Sequence, residues 1–209
     1  TRDFLLALPG LTLARGRVDL AVRALPTLLA AQRGGFLPEF LAPAHEPRPK
    51  PLPDATLWLF EVARLLLPQL GAEHTPLKRQ LYTALIRSFA RLRSNIKRWG
   101  WLSADGLLVN GGKHVALTWM DAQVRGEAVT PRRGIAIEQQ ALYTQATGTL
   151  ATLADELGNA QLAEACRAAG VQARASFKSR FWCHETDFPY DCVSESRDAQ
   201  DAWVDASIR

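Results

Sequence analysis

The stretch Trp101-Leu-Ser-Ala-Asp-Gly-Leu-Leu-Val-Asn-Gly-Gly-Lys-His-Val-Ala-Leu-Thr-Trp-Met-Asp-Ala-Gln-Val-Arg-Gly-Glu-Ala-Val-Thr-Pro-Arg-Arg-Gly134 decides how this chain folds. Gly106, Gly111, Gly112, Gly126, Pro131 and Gly134 punctuate it, and no apolar seam of period 3.6 runs through it, so it is not a helix. Periodic helical segments flank it on both sides. Connections between packed helices commonly take about 2–8 residues, and much longer ones are functional or disordered. Disorder fits poorly, because Trp101, Leu107, Leu108, Val109, Val115, Leu117, Trp119 and Met120 are too apolar to leave in water. The stretch reads as an ordered active-site loop centred on Thr118-Trp119-Met120-Asp121.

Two readings of Asp121 are open from the residues. It is a loop cap or Asx-turn residue, as lone aspartates in loops commonly are. Or it is a general acid, kept protonated by the desolvating flank of Trp119 and Met120. An indole beside a carboxylate also suits a sugar, whose C–H face packs on the ring while its hydroxyls bond to the acid.

Downstream, Ile135 to Leu157 reads as a helix with Leu142, Ala146, Leu150, Leu153 and Leu157 on one seam and Gly158 as its stop. Glu138 lies one turn before Leu142, so it either favours the helix dipole or enters a pocket. A further helix runs from Asn159 to about Lys178. Upstream, Leu77 to Trp99 repeats apolar residues at steps of three and four, with Lys78, Arg79, Arg87, Arg91, Arg93, Lys97 and Arg98 largely on the opposite face. That face reads as solvated. An RNA-binding face would interleave exposed aromatics, which are lacking. A membrane-surface helix is the other alternative.

Asp3 to Ala14 and Arg17 to Gln32 read as two helices joined near Gly16, with Pro9 and Gly10 interrupting the first and Pro26 kinking or restarting the second. Gly34 to Pro53 holds six prolines and is a loop. Asp54 then opens a helix as its N-cap, with Leu57, Trp58, Val62, Leu65 and Leu66 on the apolar side.

The 209 residues are 47% hydrophobic and 22% charged, which suits one soluble globular domain. No apolar run is long enough to span a bilayer. Cys166, Cys183 and Cys192 form no C-x-x-C pair, suit a reducing compartment and match no zinc spacing. No metal or cofactor is expected. The net charge of +4 raises the nucleic-acid question, but much of the excess sits on the Leu77 to Trp99 face.

Ordered motifs add a resemblance. Leu117-Thr118-Trp119-Met120-Asp121-Ala122, Val129-Thr130-Pro131-Arg132-Arg133-Gly134 and Glu138-Gln139-Gln140-Ala141-Leu142-Tyr143 resemble the catalytic domain of glycogen debranching enzymes, the amylo-alpha-1,6-glucosidases. Arg2-Asp3 with Leu8-Pro9-Gly10-Leu11, and Asp54-Ala55-Thr56-Leu57-Trp58, match in the same order. The resemblance implies an all-α fold, part of an (α/α)6 six-hairpin toroid with about half of its helices present. It implies a glycoside hydrolase that releases glucose from alpha-1,6 branch points of glycogen or limit dextrin by an inverting mechanism. Asp121 would be the general acid. Arg2, Asp3, Asp54, Trp58, Trp119, Glu138 and Gln140 would bind the alpha-glucan.

The chain departs from the family at Glu39, where an amide is usual, at Tyr143-Thr144 and at Asp187-Phe188. The family's base comes from a Ser-Glu motif near the end of the barrel, and Ser194-Glu195 stands too early to be it. The expectation is therefore a single domain over residues 1–209, cut at both ends, with its base beyond Arg209 and no activity of its own. The whole protein would be cytoplasmic, with no nucleic-acid or membrane partner. The alternatives are another six-hairpin alpha-glucosidase, glucoamylase-like or trehalase-like, or a basic helical binding protein without catalysis.

Overall fold

The structure is a computed structural model that describes residues 1–43, 49–94, 100–110, 117–130, 132–195 and 204–205. It is mostly helical. The six α-helices of the described residues are α1 (Arg2–Leu11), α2 (Val18–Ala30), α3 (Pro53–Leu66), α4 (Thr75–Arg93), α5 (Ile137–Glu156) and α6 (Ala160–Phe181). Short strands trim the loops: β1 (Leu37–Pro38) pairs with β2 (Pro51–Leu52), β3 (Trp101–Leu102) with β4 (Leu108–Val109), and β5 (Gln123–Val124) with β6 (Glu127–Ala128). β7 (Ile135–Ala136), β8 (Trp182–Cys183), β9 (Phe188–Pro189), β10 (Cys192–Val193) and β11 (Val204–Asp205) follow, with β8 on β9 and β10 between β7 and β11. All the pairings are antiparallel.

α1 packs on α3 and α3 on α5, while α2 lies against α4 and α6 against α5. Leu5, Leu25, Leu57, Leu59, Phe60, Leu81 and Leu150 are fully buried between them. Each such side chain contributes about 1.5–3 kcal/mol of burial. In α5 two stripes are buried. Tyr143, Ala146, Leu150 and Leu153 make one, and the Tyr143 ring stacks on Phe89 of α4 at 6.2 Å. Thr147, Ala151 and Ala154 make the other, with Thr147 against Gly170 of α6. A helix covered on two sides has no single seam. That is why Leu142 is only half-buried and Leu157 is exposed, against the simple seam expected.

Several boundaries differ from expectation, each for a local reason. Pro9 and Pro26 sit inside α1 and α2 without ending them. The N-cap of α3 is Leu52, not Asp54: Pro53 takes the first helical position, where its missing N–H costs nothing. Ile135 and Ala136 are strand, so α5 starts at Ile137. α4 ends at Arg93, and Ile96, Lys97, Arg98 and Trp99 lie outside the described residues. Gly111, Gly112, Val115 and Pro131 of the central loop do so as well.

Two helix ends agree with expectation. Gly158 is left-handed at φ 75, its N–H reaches Asp155, and the Asn159 N–H reaches Ala154, which closes α5 as a Schellman motif. Asn159 then caps α6 by accepting from the Leu162 N–H. No helix of the described residues is long and apolar enough to cross a membrane.

Candidate active site

The N-terminal turns of α1, α3 and α5 come together: Arg2 bonds Asp54, and the Glu138 charge is felt at Asp54. Each brings a charged side chain there: Arg2, Asp54 and Glu138. The central loop adds Asp121.

Arg2 joins three segments. Its Nε donates to Asp54 Oδ2 at 2.6 Å, its Nη1 to Asp121 Oδ2 at 3.0 Å and its Nη2 to the Thr118 carbonyl at 3.2 Å. Asp54 Oδ1 accepts from the Ala55 N–H at 2.7 Å, so both of its oxygens are engaged. Asp121 differs. Among the described residues only its Oδ2 is held, and its side chain is 33% exposed. Its second oxygen has no hydrogen-bond partner among the described residues.

The sequence suggested an apolar shield for Asp121, but the surroundings are different. Trp119 is 56% exposed, Met120 is half-buried, and the contact group is the Arg2 guanidinium. The loop is pinned from below. Gln139 Nε2 donates to the Leu117 carbonyl at 2.8 Å, and the Thr118 hydroxyl accepts from the Met120 N–H at 3.3 Å.

Glu138 faces Arg132. Arg132 Nη1 and Nη2 each donate to one Glu138 oxygen at 2.6 Å, while Nε and Nη2 hold both Asp191 oxygens at 2.7 and 2.8 Å. The Asp191 carbonyl also accepts from the Ile137 N–H that opens α5. Sequence reasoning used Arg132 only as part of a motif and gave Asp191 no role. Nothing in the letters Thr130-Pro131-Arg132-Arg133-Gly134 says which arginine turns inward: Arg132 is buried and Arg133 exposed.

The three residues Glu138-Gln139-Gln140 therefore organise three different loops. Gln140 is buried, accepts from the Leu108 N–H at 2.8 Å and donates to the Leu108 and Ala136 carbonyls. Its amide is occupied by backbone. Trp58 is half-buried against the core and Asp3 is exposed.

Burial raises the Asp54 pKa above the ordinary carboxylate range, although Arg2 and the Ala55 N–H oppose it, and the nearby Glu138 charge adds to the rise. Burial pulls the Arg2 pKa down, but its two carboxylate partners outweigh this and raise it. Arg132 is raised further, since Glu138 and Asp191 together outweigh its desolvation.

The cluster holds two guanidiniums among four carboxylates, Asp54, Asp121, Glu138 and Asp191. Such a surface repels phosphate and offers acceptors to hydroxyl donors. No group of three or more metal-ligating side chains stands together among the described residues. Cys166, Cys183 and Cys192 are buried. Glu195 Oε1 accepts from the Trp101 indole N–H at 2.7 Å.

A family model described as Amylo-alpha-1,6-glucosidase matches residues 1–209. No curated protein and no solved structure matches the chain.

Proposed function

The chain belongs to the amylo-alpha-1,6-glucosidase family, and on that premise we propose that it forms the acid-bearing part of a glycosidase site for alpha-1,6 branch points of glycogen or limit dextrin. The observation that carries the reading is the Asp121 carboxyl. One oxygen is held by Arg2 and the other has no hydrogen-bond partner among the described residues, beside a cluster rich in acceptors.

Glycoside hydrolysis uses two carboxyl groups. Asp121 acts as the general acid: the Arg2 contact at Oδ2 orients it, and Oδ1 delivers the proton to the departing glycosidic oxygen. In an inverting reaction the second carboxylate activates water from the opposite face, about 6.5–9.5 Å from the acid. We assign that base to a residue outside this chain. Ser194-Glu195 stands too early in the sequence to be the family's base.

Arg2, Asp54 and Glu138 bind hydroxyls of the ring at the cleavage point. Trp119 offers its exposed face to a sugar, Trp58 lines the pocket wall, and Asp3 lies at the edge. Gln140 supports the site through the backbone of β4 and β7. The packing of α3 on α4 and of α5 on α6 suits hairpins of a six-hairpin toroid, one domain continued by further helices. The whole enzyme acts in the cytoplasm without a cofactor.

A carboxylate-rich centre with its arginines already paired argues against a nucleic-acid site, which needs unpaired cations for phosphate. The experiment is glucose release by the full-length protein from branched limit dextrin and from linear maltodextrin. Preference for the branched substrate supports the reading. Preference for the linear one moves the protein to the glucoamylase-like alternative, and release from neither overturns the glycosidase assignment.

A further inference from the structure

Arg132 occupies an unusual position for a cation. Its side chain is 1% exposed and lies between two carboxylates that are not equally hidden: Asp191 at 10% and Glu138 at 27%. A guanidinium fork that meets both oxygens of a carboxylate fixes its plane as well as its place. The fork itself is held rigidly. The Gly134 carbonyl accepts from the Asn110 N–H at 2.7 Å, and a Cβ on Gly134 would meet the Val193 carbonyl at 2.5 Å, so the backbone beyond Arg132 is clamped between β4 and β10. Asp191 holds the guanidinium through both oxygens and its own carbonyl. Of the three charged groups, Glu138 alone is partly open, and it stands close enough to Asp54 for its charge to be felt there.

We propose that Arg132, held from behind by Asp191, is a positioning residue that presents the Glu138 carboxylate to ring hydroxyls of a glucose unit in the pocket. The proposal rests on the glycosidase reading above. Neither Arg132 nor Asp191 touches the sugar. Both Glu138 oxygens accept from the fork, and each keeps acceptor capacity for an incoming hydroxyl. The pair differs from an ordinary latch between loop and helix in one respect. A latch affects only stability, whereas a positioning residue affects sugar affinity through Glu138.

The test uses the full-length protein and 1-deoxynojirimycin, a glucose-shaped imino sugar, with affinity read by calorimetry and folding by thermal melting. Glu138→Gln, Arg132→Lys and Asp191→Asn should each weaken binding, by roughly tenfold for the first two. Arg132→Lys/Glu138→Gln should bind no worse than Glu138→Gln alone, because Arg132 acts through that carboxylate. If Arg132→Lys does not fold, Asp191→Asn with Asp191→Asn/Glu138→Gln decides in its place. Losses that multiply in the double variant overturn the proposal, as does a folded Arg132→Lys or Asp191→Asn that binds like the wild type. A wild type that does not bind overturns the glycosidase reading and the proposal with it, whereas a wild type that binds beside unaffected variants overturns the proposal alone.

Discussion

Arg2 Nε lies 2.6 Å from Asp54 Oδ2 and ties the first turn of α1 to the first turn of α3. The Asp54 side chain is 3% exposed, so its charge has little water to fall back on. Removing one partner of a buried pair leaves the other uncompensated, at a cost of about 3–5 kcal/mol. Arg2→Met should lose stability on that scale in urea unfolding. Arg2→Met/Asp54→Asn should regain most of it. A single variant that loses almost nothing would show that the pair does not hold the two helices together.

The same burial makes stability depend on pH. Because desolvation raises the folded pKa of Asp54 above its unfolded value of about 3.9, the native state binds more protons than the unfolded chain in the interval between them. The stability Asp54 contributes is therefore full below the unfolded value and is lost as pH rises through the folded one. Asp54→Asn cannot titrate and should flatten that part of the curve. Unfolding free energies of wild type and variant from pH 3 upward would reveal it. Parallel curves would mean that Arg2 fully offsets the burial.

Gln139 and Gln140 are neighbours with different duties. Gln140→Ala strands the buried N–H and carbonyl of Leu108, which costs about 1–3 kcal/mol, but it leaves the Leu117 loop tied. The variant should melt lower and keep kcat in the full-length enzyme. Gln139→Ala releases the Leu117 carbonyl under Asp121, and misplacement near 1 Å costs up to about 100-fold in rate. Its kcat should fall with a smaller change in melting. The reverse pattern would make Gln140 the site residue and Gln139 the support.

Much of this was legible in the letters, and the rest was not for physical reasons. Spacing alone places α2, α5 and α6 closely, because long amphipathic or capped segments carry their own signal. Gly158 and Asn159 announce the turn between α5 and α6 through backbone chemistry. In the described parts of the central loop Leu107, Leu108, Val109 and Leu117 are covered, as apolar residues require, whereas Trp119 is exposed. Its hairpins β3–β4 and β5–β6 are too short for period-2 alternation to register. The partners of Asp121 are long-range, and no local pattern pairs it with Arg2 across the whole of α1 to α4. The inward turn of Arg132 depends on Asp191, which arrives from beyond α6. Asp54 shows the limit of a local rule: its position suggests a cap, yet Pro53 before it moves the helix start and frees the carboxylate for Arg2.

Asp121 carries the mechanistic claim, and Asp121→Asn in the full-length enzyme tests it. The amide is nearly isosteric, and the residue is 33% exposed, so the fold should survive with a small change in melting temperature. Arg2 keeps Asp54 and the Thr118 carbonyl as partners, so the pocket stays assembled. An amide cannot protonate the glycosidic oxygen, and a positioned acid is worth about 10²–10⁴-fold in rate. Turnover of limit dextrin should fall by that factor. A glucoside with a good leaving group needs less protonation at departure, so its hydrolysis should fall much less. The ratio of the two losses separates an acid from a structural residue. A loop cap at position 121 would lower the melting temperature and reduce both substrates equally, and that result would remove Asp121 from the chemistry.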